Sequence, residues 1–573
     1  MKKFLKLFVC LGMVISLAAC SSDEETTTES KIADGTYSAT VESMKGDMTV
    51  TVTIADDKMT DITIDTVDTD VLVSAAIDRM VPDMIENQTI KVDSLSGATV
   101  SSAAIKAGVK GALEEAGVDT STTFNTDATH SAVEKEDETA DVVVVGSGGA
   151  GLSTAIQLKE NGIENVVVVE KLGYFGGTTA LCSGGAWSVG GSVFNEKTGI
   201  DYTADELIEH LYAASDAEEG SLNEELIRNI ASVSAEIFDY YYNECGNPFD
   251  IDTVDSYGDS LGEMPVAWTD GAGQVLIENM VEQAEKLGVD LRLDSKVTSL
   301  LVEDDTVTGV HIEGRDEIYD LYASKVVLAT GGIQRNSDLV SLLTPGYENE
   351  VPFTSAGSTG EGIQFALDLG AGTIGNTMGG MQGLGERFGY EGLGSSTWGV
   401  SILVNQEGER FVDESLHYSY RLPAIMEQTD GICYGIADTT SYAYDNFELM
   451  EEYGYAYHAD SIEELAALIN IDVDTLQATV DAYNETAEDQ LAEGPYYAIK
   501  MDGVAFASMA GVTVDEFCHI TKTDGSVIPN LYGAGEMCSG NILQNRYAGS
   551  GSQVGASLYE GKIIADQIAE ELK

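Results

Sequence analysis

Basic residues are scarce in this chain. Its 573 residues include 29 Lys and Arg against 97 Asp and Glu, for a formal net charge of −68. Such a surface repels phosphate backbones, so nucleic acid is not an expected partner. Cysteines number 7, and none of Cys182, Cys245, Cys433, Cys518 and Cys538 falls in a CxxC or CxxCH pattern. Zinc ribbons, c-type haems and a disulfide framework are therefore not expected, and no metal site is. Beyond residue 20 no apolar run approaches the length of a membrane-spanning helix. What is present is ordinary core-forming material, with 43% hydrophobic and 22% charged residues, which excludes a fibrous or wholly disordered chain. Glycine is abundant at 61, as tight turns and close backbone approaches require.

The start reads MKKFLKLFVCLGMVISLAAC, a basic segment, a short apolar run and small residues. Leu17-Ala18-Ala19-Cys20 resembles a bacterial lipobox. That resemblance implies a signal peptide over 1–19, lipidation of Cys20 and a mature chain anchored on the extracytoplasmic face of the cell membrane. Residues 20–33 read as a Ser/Thr/Glu linker, 34–117 as a small α+β domain, and 118–139 as a second linker. A dinucleotide-type α/β domain is expected over 140–365 and again over 506–573. Residues 366–505, richer in aromatic and acidic helices, read as an α+β domain inserted between its halves.

Asp93-Ser94-Leu95-Ser96-Gly97-Ala98-Thr99-Val100-Ser101 precedes a predicted helix. Small residues at Ser96, Gly97 and Ala98 admit close approach of a phosphate, and a following helix N-terminus favours one. The segment resembles the attachment motif of the FMN-binding domain family. That resemblance implies FMN joined through its phosphate to Thr99 by a flavin transferase.

Downstream, the β-branched run Val142–Val145 leads into Gly146-Ser147-Gly148-Gly149-Ala150-Gly151 and then a helix. This is G-x-G-x-x-G in the strand–turn–helix context that dinucleotide binding needs. Glu170 ends the next strand, where a carboxylate can hold a ribose hydroxyl. Further glycine-rich pieces follow: Gly176-Gly177-Thr178-Thr179, Gly184-Gly185, Thr330-Gly331-Gly332 and Gly535-Glu536. Together they resemble the FAD-binding flavoproteins that include soluble fumarate reductases, urocanate reductase and 3-ketosteroid dehydrogenases. The resemblance implies noncovalent FAD held by these residues with Lys171 and Val297, and a Rossmann-like fold with an inserted capping domain over the substrate.

The substrate motifs are mixed. Soluble fumarate reductases place an Arg proton donor eight residues after the Arg of R-F-[VM]-N-E. Here Arg410-Phe411-Val412-Asp413-Glu414 puts Tyr418 at that offset, with Arg421 three residues further on. Their His before Met-Gly-Gly is Ala507 here, and their His-Pro-Thr segment has no counterpart. Arg546 alone survives from their carboxylate grip. The ketosteroid dehydrogenases carry a catalytic Tyr at the Tyr418 offset. Their Tyr-Pro-Gly-x-Gly segment corresponds to Tyr547-Ala548-Gly549-Ser550-Gly551.

The implied chemistry is reduction of the activated C=C of an α,β-unsaturated carbonyl compound. Tyr418 would be the proton donor, with Arg421 as its substitute; Tyr547 and Gly551 would hold the developing oxyanion. Electrons would enter through FMN from a membrane or extracellular donor. An enone, with 3-oxo-steroid-like compounds among the candidates, is the expected substrate class. An unsaturated carboxylate gripped by Arg546 is the alternative, and an FMN electron-shuttle lipoprotein is the alternative of another class.

Overall fold

The valines of Val142–Val145 are buried on both faces, Val142 to Val144 completely, as a central parallel strand demands. Their strand, Glu138–Val145, pairs in parallel with Val166–Val169 on one side and Glu317–Leu328 on the other. Asp290–Arg292 extends the sheet beyond Val166–Val169, and Val527–Gly533 adds in parallel to Glu317–Leu328. The hairpin of Val297–Glu303 and Thr306–Glu313 adds an antiparallel edge, and the short strands Val133–Glu134, on Glu317–Leu328, and His519–Thr521, on Val527–Gly533, bring the sheet to nine. The helix Gly149–Glu160 and the final helix Ser552–Glu571 pack closely on each other. Ser153 Oγ donates to Leu558 O at 2.6 Å across that contact. The computed structural model describes residues 32–44, 46–67, 71–128, 131–253, 265–385, 397–440, 447–492 and 494–573. Cys20 and the expected signal peptide lie outside them. No helix among the described residues is long and apolar enough to cross a membrane.

A separate unit precedes this sheet. Three antiparallel strands, Gly35–Glu42, Asp47–Ala55 and Lys58–Thr66, form a meander backed by the helices Val71–Asn87 and Thr99–Glu115. Alternation in Asp47–Ala55 sends Met48, Val50, Val52 and Ile54 inward, each no more than 1% exposed. The second helix begins at Thr99, and Thr99, Val100, Ser101 and Ser102 form its first turn. Residues 118–128, read as linker, pack onto this unit: Val118 and Phe124 are buried in its core, and Thr89 Oγ1 donates to Thr126 O at 2.5 Å.

The inserted unit centres on the strand Tyr496–Ser508. Cys433–Ala437, Ala456–Ala459 and Met378–Gly383 all pair with it antiparallel. Its two cores run from Leu384 to Met501. Ala371 and Met378, expected within the inserted domain, pack instead in the core of the large sheet. The junction is thus the ribbon Met378–Gly383 against Asp502–Ser508.

Candidate active site

One cavity of about 950 Å³ runs between the large sheet and the inserted unit. Its wall includes the turn Gly146, Ser147, Gly148, Gly149 and Ala150. The packing explains the motif. A Cβ at Gly151 would collide with the Gly146 carbonyl, and one at Gly146 with that of Ala329. Gly148, by contrast, meets nothing closer than Gly176 O at 3.8 Å and stays open. Gly148 is also the N-cap of Gly149–Glu160 and offers no side-chain cap; Gly149 N donates to Thr179 Oγ1 at 3.2 Å, which leaves the next first-turn N–H groups for an anion. Glu170 lines the cavity while its carboxylate accepts from Ser147 N (3.0 Å), Ser147 Oγ (2.8 Å) and Leu172 N (2.9 Å). With about four lone-pair sites, a carboxylate so fixed retains capacity for a ribose hydroxyl.

Lys171, Gly177, Thr178, Thr179, Gly184, Gly185, Val297, Thr330, Gly331, Gly535 and Glu536 also lie on the wall. Gly151, Gly176 and Gly332 do not; they sit behind it, where Gly176 admits Ile277 and Gly332 admits the Glu536 carboxylate. Burial raises the pKa of Glu536, although Gln334 and the N–H groups of Ser508 and Gly332 bind it. Beneath it Glu560, pushed up to about 8 by burial, accepts from Gly535 N at 2.6 Å. A cavity of this volume, reaching from the glycine turn to the aromatic rings with open backbone donors at a helix start, fits a dinucleotide such as FAD.

Four aromatic rings close the same cavity: Trp398, Tyr418, Phe506 and Tyr547. Tyr418 meets Trp398 edge-on at 5.5 Å, lies 5.9 Å from Phe506 and 6.4 Å from Tyr547, centroid to centroid. Its hydroxyl is 2.9 Å from Ser550 Oγ, inside the same five-residue segment as Tyr547 and Gly551. Tyr418 opens a short 3₁₀ turn capped by His417, whose Nδ1 accepts from Ser419 N at 3.2 Å. Acceptance requires a neutral ring. Burial, with the charges of Arg421, His210 and Arg546, brings the His417 pKa down to about 3. Burial raises the Tyr547 phenol, opposed by the Ser552 hydroxyl and the Gln553 N–H beside it. Gly551, at φ +81°, is the N-cap of Ser552–Glu571.

Neither arginine reaches this wall. Arg546 lies over the Tyr420 ring at 3.9 Å and pairs with Asp216 at 3.2 Å. Arg421 donates to Glu414 O at 2.9 Å and lies over the Trp398 ring, 5.4 Å from its centroid. Trp398, Phe506, Ser550 and Gln553 line the cavity without having been singled out as site residues. Ser550 sits inside the Tyr-x-Gly-x-Gly segment and Phe506 beside Ala507, so both had a local pointer; Trp398 had none.

Thr99 is the first residue of its helix and is exposed, and its N-cap Ala98 supplies no side-chain cap. A phosphate on Thr99 would meet first-turn N–H groups with no competing acceptor. Ser96 and Gly97 are exposed beside it, in the turn closed by Ala98 N donating to Leu95 O. The residues fit FMN.

Comparison with known proteins gives this geometry a family. The chain is 27% identical over 555 residues to the NADH:fumarate oxidoreductase of Klebsiella pneumoniae strain 342, a match covering 91% of this chain and 57% of that protein. The chain therefore spans little more than half the length of that relative. It is 27% identical over 514 residues to the urocanate reductase of Eggerthella lenta, covering 81% and 80%. The 3-ketosteroid-Δ4-(5α)-dehydrogenase of Rhodococcus jostii RHA1, solved with 4-androstene-3,17-dione, shares the fold with a TM-score of 0.61 at 24% identity, over 76% of this chain and 98% of that one. Residues 141–554 match the FAD binding domain family and residues 44–114 the FMN-binding domain family, so the chain belongs to the first and carries the second ahead of it.

Proposed function

We propose that this protein is a flavin-dependent oxidoreductase that reduces a C=C bond conjugated to a neutral carbonyl, an enone, with electrons delivered through FMN esterified to Thr99. The observation that carries this reading is the aromatic wall of Trp398, Tyr418, Phe506 and Tyr547, which neither Arg421 nor Arg546 lines. Lys171 is the one cation on the cavity wall among the described residues, and it is bound to Thr359 and Glu361 beside Glu170. A small dicarboxylate would find no charge-assisted partner among the rings, whereas a flat apolar enone gains burial there.

Bound FAD supplies hydride chemistry. Tyr547 and Gly551 meet the negative charge that grows on the substrate's carbonyl oxygen as the β-carbon is reduced; preorganised donors of this kind contribute about 3–4 kcal/mol each. The N-terminal dipole of Ser552–Glu571, which Gly551 caps, acts in the same sense. Tyr418 gives its proton to the α-carbon, and its bond to Ser550 fixes acid and oxyanion donors in one frame. His417, neutral and capping the turn, keeps Tyr418 aimed.

A second reading, reduction of an unsaturated carboxylate, is supported by the fumarate and urocanate relatives and by Arg546 standing directly before Tyr547. It requires Arg546 to leave Asp216 and Tyr420. Turnover on paired enones and enoates with a reduced dye as donor separates the two. We expect enones to win by at least about tenfold in kcat/KM and Arg546→Ala to change enone turnover by less than about threefold. Preference for the enoates, abolished by Arg546→Ala, would overturn the enone assignment.

Glu170→Gln is expected to weaken FAD binding about 10–100-fold, the worth of one hydrogen bond to a charged group, ~1.5–3 kcal/mol. Fluorescence titration of the FAD-depleted chain measures it, and an unchanged Kd would remove Glu170 from the ribose site. We also propose that Cys20 anchors the chain outside the cytoplasmic membrane, where a quinol or extracellular donor reduces the FMN and a flavin transferase makes the ester. Mass spectrometry of the mature N-terminal peptide tests this; an unmodified Cys20 or a retained leader contradicts it.

A further inference from the structure

The FMN-binding unit is fastened to the FAD-binding unit at its attachment loop. Gly97 has φ +91°, and a Cβ there would fall 2.7 Å from the Tyr174 hydroxyl and 3.5 Å from Ala356 Cβ. Leu95 overlies Gly173, where a Cβ would stand 2.9 Å from Leu95 Cδ1. Tyr174 comes from the FAD-binding unit, yet at 3% exposure it is part of the core of the FMN-binding unit.

The contact continues inward. The Tyr174 hydroxyl lies 3.4 Å from Ser355 Oγ. Ser355 N donates to Thr178 Oγ1 at 3.2 Å, and Thr178 Oγ1 lies 3.2 Å from Ser358 Oγ. Thr178, Ser355 and Ser358 are all on the wall of the FAD cavity. Two ion pairs cross the same boundary, Arg79 with Asp294 at 2.8 Å and Arg315 with the buried Asp83. A loop carried on a free tether would need neither a glycine relieved against a partner's hydroxyl nor two ion pairs across the boundary, one of them with a buried carboxylate.

We propose that Tyr174 is a positioning residue that clamps the Thr99 loop at a fixed place against the FAD cavity, so that the two flavin sites form one docked unit. This rests on the reading that Thr99 carries FMN. The clamp itself is a property of the polypeptide and is present before any flavin is attached.

The test uses the full chain in two forms. In chain made without a flavin transferase, hydrogen exchange is followed at residues 95–99 and in the strand Asp47–Ala55. Tyr174→Ala is expected to speed exchange in the loop about tenfold and leave the strand unchanged, as local release of one contact does. Tyr174→Phe, which keeps the ring in the core, is expected to stay within about threefold of the parent. In chain loaded with both flavins, Tyr174→Ala is expected to lower kcat from a low-potential dye about tenfold at unchanged KM for the acceptor, with Tyr174→Phe restoring most of it.

Equal loop exchange in parent and Tyr174→Ala overturns the proposal, as does acceleration spread evenly over loop and strand. Should Tyr174→Ala fail to fold, Asp294→Ala removes only the rim ion pair. It is then expected to raise loop exchange about threefold, and no change overturns the clamp. Absence of acid-stable flavin from the loaded parent would instead remove the Thr99 reading, and the flavin-free exchange would still decide the clamp.

Discussion

Tyr418→Phe is expected to lower turnover about 10²–10⁴-fold, the usual worth of a positioned general acid. The substitution deletes one hydroxyl and leaves the ring among Trp398, His417 and Phe506. Its structural cost includes the lost bond to Ser550 Oγ, about 0.5–1.5 kcal/mol. The variant should therefore fold, hold FAD and bind acceptor with little change in KM, while kcat falls. That split separates a lost proton donor from a lost binding contact. An unchanged kcat would remove Tyr418 from the chemistry. Arg421 would not replace it by default, since it does not line the cavity: one terminal nitrogen donates to the Glu414 carbonyl and the guanidinium lies 5.4 Å from the Trp398 ring centroid.

The parts of this molecule that were legible in the sequence are those fixed by short-range sterics. The turn at Gly146–Gly151 is written into the chain because no Cβ fits beside the Gly146 and Ala329 carbonyls. The consecutive valines announce a strand covered on both faces, and the alternation of Asp47–Ala55 a strand covered on one. What was not legible depends on residues that meet only in space. Arg546 has an acidic partner 330 positions away and an aromatic one 126 away, and nothing adjacent in the chain announces that Asp216 and Tyr420 converge on it. Trp398 joins the cavity from the inserted unit, while Phe506 joins from the strand leading out of it. Residues 118–128 are polar enough to read as linker, but two apolar side chains, Val118 and Phe124, are sufficient to bind that stretch to a core. Tyr174 shows the same limit: a lone Tyr between glycine-rich turns gives no local sign that it belongs to a neighbouring unit's interior.

Thr99→Ala is expected to remove all acid-stable flavin while FAD content stays at the parent level. A phosphoester needs a hydroxyl, and in the turn Ser96–Gly97–Ala98–Thr99 only Ser96 offers another one, three residues earlier and outside the helix. The fold should be indifferent to the change. Thr99 is exposed, makes no cap bond in the helix it opens, and is replaced by a better helix former, so the stability change should lie within about ±0.5 kcal/mol. Precipitation in acid separates released FAD from polypeptide-bound FMN in a single measurement. Thr99→Ser, which keeps an oxygen at the same helix start, is expected to retain part of the bound flavin. The functional consequence follows from the route of the electrons. If FMN is the entry point, Thr99→Ala should abolish turnover from a donor confined to that unit, yet preserve acceptor binding and FAD in the cavity. Acid-stable flavin persisting in Thr99→Ala would place the attachment elsewhere, and full turnover without it would mean that electrons reach the FAD cavity by another path.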